Sequence, residues 1–322
     1  MPQSLPKVVF LDKATIPAHV HFRELSFPHQ WVEYDYTSLD ELEERLVGAE
    51  IVISNKVALN GEILKQFPSI KLIAVSATGT NNVDLDYCAQ NHIAVCNIQG
   101  YATRSVPEHV IGMIFALKRN LFAYHQDIEK GAWQKDKQFC FFTHPITDVA
   151  GATITIVGSG SLGQAVATLA SAVGMKPIFA ERKGVSQVRE GYVSFEEALQ
   201  QADIVSLHCP LTQSTTDLIA RDELALMKPT SVLINTGRGG LVNEVHLVEA
   251  LKSGEIAGAG FDVFTQEPAD TSNPLLANMS LPNLLLTPHV AWGSDSALQS
   301  LVDILLNNID DFMAGKHSNR VV

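Results

Sequence analysis

Along most of the chain, short runs of β-branched and aliphatic residues alternate with stretches whose apolar positions recur every three or four residues. A short apolar run bounded by polar or turn-forming residues suits a buried strand, and helical spacing suits a helix packed on it. The alternation therefore predicts βα units feeding parallel sheets. In the first third, strands are expected at residues 7–12, 50–54, 71–75 and 93–97, with a weaker one in WVEY at 31–34. Helices are expected near 39–48, 60–67 and 84–91. A second series of strands follows at 153–157, 176–180, 203–207, 231–235, 256–262 and 283–287. The fold class is α/β, with two doubly wound parallel sheets.

Two apolar stripes lie outside this alternation. From about Thr103, the residues Val106, Val110, Met113, Ile114, Leu117 and Leu121 recur at helical spacing, over a length that suits a bridge between domains. After the last strand, Leu298, Leu301, Val302, Leu305, Ile309 and Phe312 make a similar stripe with no further strand to feed. This last helix is expected to return to the first sheet. The second series would then form a domain, residues 101–291, inserted into a smaller one made of residues 1–100 and 292–322. Residues 131–150 read as an aromatic-rich loop.

Composition agrees with two domains: 322 residues, 46% of them hydrophobic, exceed what one ordinary core needs. A formal net charge of −12 with no long acidic block argues against nucleic acid as a partner. Cys88, Cys96, Cys140 and Cys209 form no CxxC pair and no metal-type cluster, as expected for reduced thiols and no bound metal. The N-terminus, MPQSLPKVVFLDKATIP, lacks the basic and hydrophobic parts of a signal peptide, and no run reaches transmembrane length. A cytoplasmic enzyme without a membrane partner is the expectation.

Gly158-Ser159-Gly160-Ser161-Leu162-Gly163 follows the strand at 153–157 and opens an apolar helical stretch. Glycines there permit a tight turn, close backbone approach to a pyrophosphate, and packing of helix on strand, while the helix N-terminus offers N–H groups to phosphate. A lone GxGxxG is a weak signal, but Glu181 stands 18 residues after Gly163 at the end of the next strand. A carboxylate at that point accepts hydrogen bonds from adenosine ribose hydroxyls and repels a 2′-phosphate. NAD is therefore the expected cofactor of a Rossmann domain. Arg182 and Lys183 leave NADP open, because either could turn toward a 2′-phosphate.

Arg238, Glu267 and His289 stand just beyond predicted strand C-termini, where open parallel sheets place ligands. The planar fork of Arg238, among glycines, suits a carboxylate. A carboxylate beside an imidazole fixes its tautomer and favours its charged form, so Glu267 with His289 would make a proton donor. Taken singly, each also reads as an ordinary surface or structural residue.

Taken together, ATGTNNVDLD (77–86), YATRSVPEHV (101–110), VGSGSLG (157–163), LHCPLT (207–212), LINTGRGGLV (233–242), GAGFDVFTQEP (258–268) and TPHVAWGS (287–294) resemble the NAD(P)-dependent D-2-hydroxyacid dehydrogenases, in particular the glycerate dehydrogenase or hydroxypyruvate reductase branch. The resemblance implies a Rossmann domain inserted into a flavodoxin-like substrate domain, and hydride transfer between NAD(H) and a small 2-keto or D-2-hydroxy acid, hydroxypyruvate and D-glycerate first. It implies that Arg238 grips the substrate carboxylate and keto oxygen, that His289 exchanges a proton with that oxygen, and that Glu267 orients the imidazole. Thr78 and Gly79 would help bind the substrate carboxylate, and Trp292 would shape its pocket. Thr103, Ser161, Leu162, Cys209, Pro210, Thr236 and Asp262 would meet the cofactor. The resemblance also implies a homodimer. Pro107, where many members carry alanine, raises the expectation that the helix there starts or bends differently. Glyoxylate or broader 2-ketoacid reduction, and non-enzymatic NAD(H) sensing on the same fold, are the alternative readings.

Overall fold

A computed structural model describes residues 5–322, so the first four residues of the N-terminal segment read for a targeting signal lie outside it. The chain divides into two compact units. One runs to Ala102 and resumes over Gly293–Val322; the other is Thr103–Trp292.

The first unit contains β1 (Lys7–Phe10), β2 (Gln30–Glu33), α1 (Leu42–Leu46), β3 (Ile51–Ser54), α2 (Gly61–Leu64), β4 (Leu72–Val75), α3 (Leu85–Gln90) and β5 (Ala94–Cys96). Among the described residues these strands form one parallel sheet in the order β2-β1-β3-β4-β5. This is the flavodoxin-like doubly wound order. The central strands IVIS and LIAV are buried throughout. Cover on both faces explains why they read as continuous apolar runs rather than alternating ones.

The second unit contains α4 (Ser105–Lys118), α5 (Leu121–Glu129), α6 (Ala132–Asp136), β6 (Thr153–Val157), α7 (Ser161–Ala172), β7 (Lys176–Ala180), β8 (Tyr192–Val193), α8 (Phe195–Gln201), β9 (Ile204–Leu207), α9 (Arg221–Leu226), β10 (Val232–Asn235), α10 (Glu244–Ser253), β11 (Gly258–Phe261) and β12 (Leu284–Leu286). Its sheet is parallel, in the order β12-β11-β10-β9-β6-β7-β8. Counted from β6, this is the dinucleotide-binding order with one further strand, β12, at the edge. The order reverses between β6 and β9, and ligands of such sheets bind in the crevice beyond the strand C-termini at that point.

Back in the first unit, α11 (Asp295–Met313) packs on β4. Ser294 caps it by accepting the Ala297 N–H, and Leu298, Leu301, Val302, Leu305 and Ile309 are buried. Each such side chain contributes about 1.5–3 kcal/mol when fully buried. No helix among the described residues is long and apolar enough to cross a membrane.

Three expectations change. The strands expected for the second unit omit β8, whose two residues pair with Phe179 and Ala180 and are too few to leave a readable run. The helical stretch from Thr103 is broken: α4 ends at Lys118, Asn120 adopts a left-handed φ of 50°, and Leu121, which opens α5, is 56% exposed rather than part of the buried stripe. Within this unit α4 packs on α7, β10 and β11. Pro107 sits in the first turn of α4, where its missing N–H has no intrahelical partner to lose. Residues 131–150 are not wholly loop, because α6 forms within them.

Candidate active site

The turn between β6 and α7 lies at the switch point of the second sheet, and two of its glycines, Gly158 and Gly163, are required by contact. Gly158 has a φ of +104°, and a Cβ there would lie 2.6 Å from the His208 carbonyl. At Gly163 a Cβ would lie 2.0 Å from the Gly158 carbonyl oxygen. At Gly160 it would meet nothing within 4 Å, so this glycine faces open space. Gly160 is also the N-cap of α7, and no side chain caps that helix. The N–H groups of its first turn, at Ser161, Leu162 and Gly163, therefore have no intrahelical acceptor. An anionic pyrophosphate fits this place in both charge and room.

Of the other predicted cofactor contacts, Cys209, Pro210 and Thr236 follow strands at the same sheet end. His208 and Cys209 follow β9, and their backbone lies against Gly158. Burial pushes the Cys209 thiol up to about 11, so it remains a neutral thiol. Burial lowers His208 to about 4, and its Nε2 lies 2.8 Å from Ser206 Oγ. Pro210 continues that loop, and Thr103 occupies the turn before α4. Thr236, directly after β10, keeps a buried Oγ1 with no hydrogen-bond partner. A bound nicotinamide cofactor would supply a partner for that hydroxyl.

Glu181, at the end of β7, is 4% exposed. Its carboxylate is not free. Arg189 holds it two-pronged, Nε to Oε2 at 2.6 Å and Nη2 to Oε1 at 2.8 Å, and the Arg182 and Arg189 backbone N–H groups also donate to it. The Arg189 fork, with the Arg182 N–H second, lowers the carboxyl to about 2. Lys183, one of the two cations weighed from sequence, is paired with Glu223 at 2.7 Å. Arg189 escaped the sequence reading because nothing about its spacing distinguishes it from other cations of an exposed loop.

The proposed chemical groups leave three neighbouring strands at the same end. Asn235, Phe261 and Leu286 are partners across β10, β11 and β12. Arg238 follows β10, Glu267 follows β11 and His289 follows β12. The outer two of these strands are separated by about 10 Å of sheet. The Arg238 loop is pressed on the Glu267 loop: a Cβ at Gly239 would lie 1.8 Å from the Phe264 carbonyl oxygen. Arg238 donates from Nη1 to the Gly237 carbonyl at 2.8 Å, is partly buried, and has no carboxylate partner among the described residues.

His289 lies 2.6 Å from Glu267, Nδ1 to Oε2. An ionised carboxylate only accepts, so Nδ1 carries the hydrogen and Nε2 has no protein partner among the described residues. Glu267 is itself held, because its Oε1 accepts the Phe264 N–H at 2.9 Å. His289 has a left-handed φ of 56°. Asp262, fully buried, braces that backbone: Oδ1 accepts the Val290 N–H and Oδ2 the Ala291 N–H, each at 2.9 Å, and Thr287 donates its hydroxyl to Oδ1 at 2.5 Å. The Trp292 indole N–H donates to the His289 carbonyl at 2.8 Å. This bracing is invisible in the sequence, where Asp262 reads only as a cofactor contact.

In the first unit, Thr78 and Gly79 follow β4. Thr78 donates its hydroxyl to the Ile98 carbonyl, and the Asn97 amide donates to the Thr78 carbonyl, both at 2.7 Å. The loop is thereby fixed from the neighbouring β5 connection. The four cysteines are free thiols.

Hydride chemistry on a carbonyl needs a dinucleotide held by its pyrophosphate and a proton source beside it, and the second unit carries groups for both at one end of one sheet. The class so defined is the NAD-dependent dehydrogenases. Residues 111–291 match the D-isomer specific 2-hydroxyacid dehydrogenase, NAD binding domain. The chain is 48% identical to a glycerate dehydrogenase of Methylorubrum extorquens, over 98% of each chain. It is 34% identical to a hydroxypyruvate reductase of Blautia hydrogenotrophica, over 98% of this chain and 99% of the other. The crystal structure of D-lactate dehydrogenase from Aquifex aeolicus complexed with NAD and lactic acid is similar with a TM-score of 0.79 and 26% identity, over 98% of this chain and 99% of that one. The chain belongs to the D-isomer specific 2-hydroxyacid dehydrogenase family, and residues 111–291 lie in its NAD-binding domain.

Proposed function

We propose that this enzyme interconverts hydroxypyruvate and D-glycerate with NAD(H). The observation that carries the reading is the placement, beyond β10 and β12 at one end of the same sheet, of a guanidinium at Arg238 without a carboxylate partner and an imidazole at His289 whose Nε2 has no protein partner, both among the described residues. A small acid with a carbonyl beside its carboxylate needs both groups. The relatives named glycerate dehydrogenase and hydroxypyruvate reductase favour the three-carbon hydroxy acid.

Arg238 binds the substrate carboxylate and stabilises charge on the keto oxygen. His289 gives its Nε2 proton to that oxygen during reduction and takes it back during oxidation, a role typically worth about 10²–10⁴-fold in rate. Glu267 holds the ring through its Nδ1 hydrogen. The bound cofactor supplies or accepts the hydride. Trp292 shapes the pocket. Ser161, Leu162 and Gly163 hold the pyrophosphate, Glu181 faces the adenosine ribose beside Cys209 and Pro210, and Thr103, Thr236 and Asp262 approach the rest of the cofactor.

A second copy of the chain is the proposed partner. Leu121, Phe122, Phe139 and Phe142 are all more than half exposed, the last two at 92% and 78%, and a dimer would cover such apolar area. Four free thiols suit a reducing cytoplasm.

The test is NADH consumption with hydroxypyruvate, glyoxylate and pyruvate in parallel. The highest kcat/KM should fall to hydroxypyruvate. Preference for glyoxylate would refute the substrate assignment, and NADH binding without turnover of any ketoacid would refute the catalytic one.

A further inference from the structure

The loop that carries His289 is also held from α4. Ser105 and His109 stand one helical turn apart on the same face of that helix, and each reaches one end of the segment 287–292. Ser105 donates its hydroxyl to the Trp292 carbonyl at 3.1 Å, and His109 Nε2 lies 3.0 Å from Thr287 Oγ1. The helix makes a firm base, because it packs on α7, β10 and β11.

Hydrogen accounting fixes the direction of the second contact. The Thr287 hydroxyl has one hydrogen, which goes to Asp262 Oδ1 at 2.5 Å, an ionised carboxylate being the stronger acceptor. Toward His109 the hydroxyl oxygen can then only accept, so the imidazole donates from Nε2. The same Nε2 lies 3.8 Å from Asp262 Oδ1. His109, through Thr287, and the Val290 and Ala291 N–H groups directly, thus converge on one fully buried carboxylate. Such a group is costly unless its donors stay in place, so their positions are tied to one another.

His289 sits between these donors. Its N–H donates to the Thr287 carbonyl at 3.1 Å, and its φ of 56° is a conformation that a residue with a side chain keeps only when its surroundings impose it. Thr287 on one side and residues 290 and 291 on the other impose it, and all three answer to Asp262. His109 holds the Thr287 side chain in the rotamer that reaches that carboxylate.

We infer that His109 is a positioning residue for the proton transfer: acting through Thr287 and Asp262, it keeps Nε2 of His289 on its line to the substrate oxygen. The inference rests on the reading that His289 is the proton donor.

Steady-state kinetics, NADH titration and thermal melts of His109→Leu, His109→Gln, Thr287→Val and the double variant His109→Leu/Thr287→Val test this, with hydroxypyruvate as substrate, or with glyoxylate or pyruvate where that is turned over faster. His109→Leu should lower kcat at least about tenfold, the scale of a reacting group displaced by less than about 1 Å. The ketoacid KM and the NADH dissociation constant should stay within about threefold of wild type, a split that separates aim from binding. His109→Gln places an amide N–H near the position of Nε2 and should recover most of the loss. The double variant should be no slower than Thr287→Val within about threefold, because both substitutions cut the same connection. Helix packing alone would lower the melting temperature and leave kcat at its wild-type value. Wild-type kcat in His109→Leu, equal losses in His109→Leu and His109→Gln, or losses that multiply in the double variant would overturn the inference. Should His109→Leu not fold, His109→Asn, whose amide is too short to reach Thr287, takes its place against His109→Gln. His289→Ala separates the underlying reading: turnover near wild type in that variant removes the proton donor and the inference with it. If His289→Ala abolishes turnover while His109→Leu keeps its kcat, the inference alone is rejected.

Discussion

His289 donates its Nδ1 hydrogen to Glu267 across 2.6 Å, and the other oxygen of that carboxylate is tied to the Phe264 N–H. The acid therefore cannot follow the ring if the ring turns, and the ring is held to one orientation. In Glu267→Gln the single amide oxygen can accept from Nδ1 or from the Phe264 N–H but not from both, so the ring loses one hold on its partner together with the negative charge. Turnover should fall by about 10²-fold, and His289→Ala should cost up to about 10⁴-fold. NADH titration of both variants should give affinities close to wild type. A parallel loss of NADH affinity would show that the pair serves cofactor binding instead.

Arg238 has no acidic partner among the described residues, which leaves its planar fork for a substrate carboxylate. A lysine keeps the charge but not the two parallel donors. Steady-state kinetics of Arg238→Lys should show a ketoacid KM at least about tenfold higher, together with lower kcat. A KM near the wild-type value would reject the assigned contact.

Gly163→Ala would place a methyl group 2.0 Å from the Gly158 carbonyl oxygen, a backbone atom that cannot rotate away. The turn must open, at a cost of about 1–3 kcal/mol or more. For a unit of this size that corresponds to a melting temperature lower by at least a few degrees, about 2–4 °C per kcal/mol. Calorimetry and NADH titration should show both stability and affinity falling. A thermally normal variant with normal affinity would mean that the turn is more pliable than its contacts indicate.

His208 links stability of the NAD-binding domain to pH. Desolvation holds it at about 4 in the folded chain, against 6.5 when free. The unfolded chain therefore takes up a proton first as pH falls. The contribution is complete above about pH 6.5 and is lost progressively toward about pH 4. Urea midpoints at neutral pH and at about pH 5 should differ more in wild type than in His208→Gln, which cannot titrate. Equal pH sensitivity in the two proteins would place the effect elsewhere.

The strands were legible because most are buried on both faces, so their apolar runs survive in the sequence. Exceptions have local causes. Tyr192 and Val193 are too few to show a period, and β8 exists because β7 offers them partners. The break between α4 and α5 turns on the left-handed conformation of Asn120, with no glycine or proline nearby to announce it. Among the site residues, Arg238, Glu267 and His289 were marked by their position after strands. The partnership of Glu181 with Arg189, and the support of residues 290 and 291 by Asp262, are contacts that no spacing rule encodes.

The brace from Asp262 separates aim from identity in the loop that carries His289. Its anchoring is through main-chain N–H groups, which every residue except proline supplies, while the Val290 side chain points away enough to be 46% exposed. Position 290 is thus free to vary, and the loop can take on new surface chemistry without disturbing where its imidazole points. Asp262 and Thr287 have no such latitude.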